Sequence, residues 1–272
     1  MIAILWARRF NLTFRHLIQV VIGLLFGIVV AGFSHAATGK VHIAVAANFG
    51  GALKVIVKNF EEQSGYKVVV SMGSTGKLYA QIVQGAPYDL YFAADKARPE
   101  KLVEQNLTIE NTPIRYATGI LALWAPGFNM QEIGLAQLRD EAITKISVAN
   151  VKTAPYGLAS LQVLDSDPQF ERIKAKLVYG ESVAQAFHFV AARQVHAGFV
   201  ALSQLIEWGA LRSEDLVNSA SVWRVPQELY SPVEQYRVSL KASQDNPVAS
   251  AFIEYLESVE GQDIIKRFGY DI

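Results

Sequence analysis

From residue 41 onward the apolar positions follow two rhythms. Residues 41–46 form a continuous apolar run broken only by His42, the pattern of a buried strand. A short turn, Ala47-Asn48-Phe49-Gly50, follows. Leu53, Ile56, Val57 and Phe60 then recur at helical spacing, and Gly65 stands where a left-handed glycine ends a helix. A second strand over 66–71 leads into Gly73-Ser74-Thr75-Gly76. The next helix carries Leu78, Ile82 and Val83 on one face and closes at Gly85 and Pro87. A third strand is expected over 89–94 and a third helix over 99–105. This alternation predicts a parallel α/β layer.

A second series begins near Gly119. Strands are expected at 120–124, 146–150, 177–179 and 197–201. Helices follow Pro155-Tyr156-Gly157 and Glu181-Ser182-Val183, the latter with Val183, Ala186, Phe187 and Val190 on one face. A short helix runs to Trp208. The tail adds a strand over 235–240 and an amphipathic helix through Phe252, Ile253 and Leu256. There is no internal repeat and no low-complexity linker. Two α/β lobes are expected, not one long sheet.

The first 36 residues follow neither rhythm. Arg8, Arg9 and Arg15 give a basic start with no acidic residue, residues 17–30 are almost wholly apolar, and Ser34-His35-Ala36 places small residues at −3 and −1 of a cut before Ala37. That is the pattern of a cleavable signal peptide and predicts export to the periplasm. The competing reading, a retained anchor, has an apolar stretch at the lower edge of spanning length, roughly 17 residues. Without those three arginines the remainder has three more acidic than basic residues. Such a balance excludes a nucleic-acid partner that needs a basic face. The chain has no cysteine, which removes disulfides, thiolate metal sites, cysteine nucleophiles and a lipid-anchoring cysteine.

Four strand-to-helix junctions share one chemistry: Ala47-Asn48, Ser74-Thr75-Gly76, Pro155-Tyr156-Gly157 and Ser182-Val183. A helix start presents unpaired N–H groups and a partial positive charge, so it suits an anion. Ligands of open α/β sheets sit beyond the carboxyl ends of the strands, where these junctions lie. Each junction alone also reads as an ordinary helix cap. Gly73-Ser74-Thr75-Gly76-Lys77 is not a nucleotide-binding loop, because Leu78 follows the lysine and Met72 occupies the place of the first glycine. His42, His188 and His196 read as packing or surface residues, Glu61-Glu62 as a solvated helix face, and Asp165 and Asp167 as a turn before Pro168. No H-E-x-x-H or G-x-S-x-G motif is present, so no enzyme chemistry and no metal site is expected.

At these junctions the chain resembles the molybdate-binding periplasmic proteins of ABC transporters. The pieces that carry the resemblance are Ala46-Ala47-Asn48-Phe49, Gly73-Ser74-Thr75-Gly76, Tyr79-Ala80-Gln81-Ile82, Gly85-Ala86-Pro87-Tyr88-Asp89, Ala93-Ala94-Asp95, Ala154-Pro155-Tyr156-Gly157, Ser182-Val183 and Gly198-Phe199-Val200. The resemblance implies the two-lobed periplasmic binding protein fold of type II with the ligand in the interlobe cleft. Residues 37–117 and 231–272 would form lobe I, and residues 118–230 lobe II. It implies a monomeric receptor, without cofactor, that captures molybdate or tungstate and delivers it to an ABC transporter permease. The ligand-binding positions it implies are Ala47, Asn48, Ser74, Thr75, Tyr156 and Val183. Two departures stand out. Many relatives have a hydroxyl residue where this chain has Ala47, and some use a tyrosine where it has Ala201. Asn48 and Tyr156 are expected to compensate.

A dianion in such a cleft needs no countercharge if its oxygens are fully hydrogen-bonded. Donors alone also select against a protonated anion such as hydrogen phosphate, whose O–H would lose a partner at a cost of roughly 1–3 kcal/mol. Glu181 is the one nearby acceptor and is expected to point away. Molybdate, tungstate and sulfate remain open on physical grounds, and the resemblance favours molybdate. An exported enzyme on the same fold and a sensing domain of a regulator are the readings from other classes.

Overall fold

The computed structural model describes residues 39–272. The signal peptide and the cut after Ala36 lie outside the described residues. Two five-stranded sheets organise the chain, in the orders β2-β1-β3-β10-β4 and β7-β6-β8-β5-β9.

The first sheet grows from β1 (Lys40–Ala46), which pairs in parallel with β2 (Lys67–Gly73) on one side and β3 (Leu90–Ala93) on the other. Between them run α1 (Gly50–Ser64) and α2 (Thr75–Val83), and α3 (Ala97–Glu104) follows β3. Gly65 ends α1 at φ 74°, the left-handed position the sequence reserves for it. The chain then makes β4 (Ile114–Gly119) and crosses at Ile120 into β5 (Leu121–Trp124) of the second sheet.

The second sheet is completed after the short α4 (Met130–Ile133) by β6 (Ile146–Ala149), α5 (Pro155–Asp165), α6 (Phe170–Lys174), β7 (Leu177–Gly180), α7 (Val183–Ala191), β8 (Ala197–Ala201), α8 (Leu202–Ala210) and β9 (Val222–Arg224). A second crossing over 225–232 brings the chain back as β10 (Val233–Ser239), followed by α9 (Pro247–Glu257) and α10 (Val259–Arg267).

The expectation of parallel sheets holds for their centres and fails at the crossings. β10 runs antiparallel to β3 and β4, and β5 runs antiparallel to β8 and β9. A strand that enters from the other lobe has no crossover helix to bring it round to the parallel sense. β4 and β9 carry little sequence signal. β4 begins with two exposed residues and β9 has three residues in all. The tail helix expected through Phe252, Ile253 and Leu256 is α9, and a second helix, α10, follows it. Ser258 sits extended between them and its Oγ accepts from Gly261 N at 3.2 Å, capping α10.

Both faces of the first sheet are covered. Phe49, Phe60, Phe92, Tyr116 and Phe252 pack on one side with ring centroids 5.0–6.4 Å apart. Leu78, Ile82, Tyr91 and Leu102 fill the other side. In the second lobe Trp124 stacks on Phe187 at 5.3 Å, and the opposite face shares a cluster with Ala46 and Ala94 of the first. The cleft between the lobes is therefore lined by strand ends and helix starts over continuous apolar packing. No described helix is long and apolar enough to cross a membrane.

Candidate anion-binding site

All four junctions meet at one place. Ala47, Asn48, Ser74, Thr75, Tyr156 and Val183 line a single cavity with small residues such as Gly73, Ala94 and Ala154. Its volume is ≈ 10 Å³, the scale of one water-sized sphere. Lobe I contributes the ends of β1 and β2, and lobe II the ends of β6 and β7. No Lys, Arg, Asp or Glu is among the described residues that line the cavity.

Local structure explains how each junction is presented. Ala47–Phe49 makes one tight turn that runs directly into α1. Ser74 precedes α2 in an extended conformation, and its side chain makes no cap bond. Ala154 precedes α5, with Pro155 pre-set for the first helical position. Gly157 lets α5 approach the end of β6, since a Cβ there would meet the Ala149 carbonyl. Ser182 caps α7 by accepting from Gln185 N at 3.3 Å, which leaves Val183 as its first residue.

Two hydroxyls separate from the rest. Ser74 Oγ and Tyr156 OH are buried and have no hydrogen-bond partner among the described residues. Such groups are costly unless something polar meets them. Burial pushes the Tyr156 pKa well above the usual tyrosine range, so the hydroxyl keeps its proton and remains a donor. The hydroxyl lies beside Gly119, where any Cβ would overlap it.

Thr75 is differently placed from its neighbour. Its Oγ1 accepts from Ala94 N at 3.1 Å, and its carbonyl accepts from the Tyr91 hydroxyl at 2.8 Å. At the second junction the Ser74 hydroxyl thus has no partner among the described residues, whereas the Thr75 hydroxyl accepts one bond and keeps its proton to donate. Any compensation by Asn48 for Ala47 does not come from its side-chain N–H groups. Both N–H groups of its amide are committed away from the cavity, to Gln235 Oε1 at 2.8 Å and to the Tyr270 oxygen at 3.1 Å. Asn48 faces the cavity as part of a backbone turn, not as an amide donor. Ala201 is fully buried and its N–H goes to Gln204 Oε1 at 3.0 Å. Two residues on, Ser203 sends its hydroxyl to the Asn48 carbonyl of the other lobe at 2.8 Å.

Charge appears at the rim. Glu181 Oε2 lies 2.8 Å from Lys77 Nζ, across the lobes, and that hydrogen bond holds its carboxyl below the usual range. Nearby, Arg98 pairs with Asp95 and reaches the Lys152 carbonyl of lobe II at 2.8 Å. Gly76 N donates to the Thr153 carbonyl at 2.8 Å and adds a backbone link between the lobes. None of His42, His188 and His196 lines the cavity, and no group of metal-holding side chains occurs among the described residues. Asp167 is a turn residue, as expected, and also holds Arg139 through both carboxylate oxygens.

Sequence reading missed Gln235, Tyr270 and Ser203. Their partner Asn48 is 187, 222 and 155 residues away, and no local pattern marks such contacts.

The arrangement has counterparts among known proteins. The profile of the family described as bacterial extracellular solute-binding protein matches residues 41–271. The molybdate-binding protein ModA of Azotobacter vinelandii is 42% identical over 239 residues, covering 87% of this chain and 92% of that protein. The molybdate-binding protein ModA of Rhodobacter capsulatus is 36% identical over 86% of this chain and 89% of its own length. The solved structure of the Azotobacter vinelandii periplasmic molybdate-binding protein superposes with a TM-score of 0.78 at 34% identity, covering 85% of this chain and 99% of that one. The two-sheet architecture is that of the two-lobed periplasmic binding proteins. This chain belongs to the bacterial extracellular solute-binding protein family, a family of binding proteins and not of enzymes.

Proposed function

We propose that the protein captures molybdate, and tungstate beside it, in the periplasm and delivers it to an ABC transporter permease. One observation carries the reading. Helix starts from both lobes converge on an uncharged cavity lined by Ser74 and Tyr156, whose buried hydroxyls have no partner among the described residues. In the reading, the backbone N–H groups of Ala47, Asn48 and Val183 and the hydroxyls of Ser74, Thr75 and Tyr156 surround the anion. Relatives that carry the name molybdate-binding protein support the choice of ion. Export by a signal peptide cut after Ala36 and action as a monomer complete the proposal. The lobes, residues 37–117 with 231–272 and residues 118–230, close by a hinge at the two crossings.

Thermal unfolding of the mature protein with molybdate, tungstate, sulfate and phosphate tests it. A ligand at about 100 times its Kd adds roughly 2.7 kcal/mol, read as a rise in Tm. The expected result is a rise with molybdate and tungstate and none with phosphate. A chain that does not respond to molybdate or tungstate refutes the proposal. An equal response to sulfate makes it a general oxyanion receptor.

A further inference from the structure

Behind the first turn lies a polar cluster that the donors above leave unused. The Asn48 amide donates to Gln235 Oε1 and to the Tyr270 oxygen. The Asn48 carbonyl accepts from the Tyr270 hydroxyl at 2.7 Å and from Ser203 Oγ at 2.8 Å. Tyr270 therefore both accepts from Asn48 and donates to it. Gln235 is anchored in turn by its Nε2, which donates to the Val233 carbonyl at 2.7 Å. All four residues are more than nine-tenths buried. Their origins differ: Gln235 comes from β10, Tyr270 from the tail beyond α10, and Ser203 from α8 of the opposite lobe.

A buried polar network with its members satisfied is rigid and specifies one geometry. Here it grips a carbonyl that would repel a dianion if it turned toward the cavity. A planar peptide carries its C=O and N–H on opposite sides, so fixing the Asn48 carbonyl also fixes the N–H of Phe49. Resting on the oxyanion reading above, we infer that Gln235, Tyr270 and Ser203 are positioning residues for the 47–49 turn. Gln235 holds it within lobe I, and Tyr270 does so while its hydroxyl also lies 3.1 Å from Ser203 Oγ. Ser203 holds it from lobe II, so the turn reaches its full geometry only with the lobes together. Ligand binding and closure are coupled through this hydroxyl.

Molybdate titration calorimetry and stopped-flow release are compared for the wild type, Ser203→Ala, Ser203→Thr and Tyr270→Phe. Ligand-free Tm and amide exchange over residues 47–53 are measured alongside. Ser203→Ala is expected to weaken molybdate about 10-fold, mainly through faster release, with the ligand-free Tm unchanged. Ser203→Thr keeps the hydroxyl and restores affinity. Tyr270→Phe speeds ligand-free exchange over 47–53 relative to the rest of lobe I. Unchanged affinity and release in Ser203→Ala overturn the coupling. Exchange in Tyr270→Phe that is unaltered, or raised evenly across the lobe, overturns the positioning role. A wild type that binds neither molybdate nor tungstate removes the functional reading instead. The exchange measurement needs no ligand and still decides the positioning.

Discussion

Ser74 and Lys77 are three residues apart at the start of one helix, and they belong to different electrostatic regimes. Ser74 is 5% exposed, faces a cavity without charge, and holds a hydroxyl with no partner among the described residues. The Lys77 side chain is 55% exposed and meets Glu181 of the other lobe in water. The second lobe repeats the contrast, with Glu181 at the rim and Val183 at the floor. A fixed charge at the floor would carry a large desolvation cost, whereas helix dipoles and hydroxyls supply partial charges at a much smaller one. At the rim, water screens the ions, and they align the lobes for little net energy. In the proposed reading the floor meets the anion, while the rim ions meet across the lobes.

The contrast breaks most sharply at the floor. Replacing Ser74 by Ala or Tyr156 by Phe should each weaken molybdate by roughly 10- to 100-fold, the loss of one hydrogen bond to a charged group. The ligand-free Tm should stay within about 2 °C, because neither hydroxyl is bonded in the protein. Titration calorimetry and thermal melts read both quantities. Unchanged affinity in Tyr156→Phe would leave only backbone donors at that junction.

Gly119→Ala attacks the same hydroxyl from behind. The added Cβ overlaps the Tyr156 oxygen and comes close to its ring carbon. Such overpacking should cost about 1–3 kcal/mol in denaturant unfolding. Combining it with Tyr156→Phe should recover part of that loss, since the overlapped oxygen is gone. No recovery would place the strain elsewhere.

Alkaline pH probes the buried tyrosine hydroxyls, Tyr156 of the floor among them, without mutation. Tyr91, Tyr116, Tyr156 and Tyr270 all have pKa values raised by burial. The folded state then keeps protons that the unfolded chain releases near pH 10. Their contribution is fully present below that value, and stability falls as pH rises above it. Melts between pH 7 and 11 should show a plateau and then a decline. A decline beginning near neutral pH would contradict this.

The smallest effects belong to the rim. Lys77→Gln should change molybdate affinity by no more than about threefold, and the change should fade with added salt. A large, salt-independent loss would mean that Lys77 acts at the floor after all.

Much of this site was legible in the chain before folding. Ser74, Tyr156 and Val183 stand at helix starts that follow apolar strands, and each signal spans fewer than ten residues. Thr75 lines the cavity with its neighbours, but its bond to Ala94 N appears only when β3 is laid beside α2. The placing of the Asn48 amide is not legible locally, because its acceptors, Gln235 and Tyr270, lie near the other end of the chain. The short crossing strands β4 and β9 escaped for a related reason: their pairing, not their pattern, makes them strands.

By itself the sequence determined the alternation of strands and helices, the glycine that ends α1, the apolar faces, and the small, hydroxyl or glycine residues at four helix starts. These are properties of neighbours in the chain, set by periodicity and by the unpaired groups at helix ends. Tertiary structure alone decided which hydroxyl of the Ser74-Thr75 pair accepts from Ala94 N. It also turned the Asn48 amide away from the cavity and brought Lys77 to Glu181. Those outcomes depend on which donor meets which acceptor once the chain is folded, and hydrogen bonds between residues 19 to 222 positions apart leave no periodic trace in the chain.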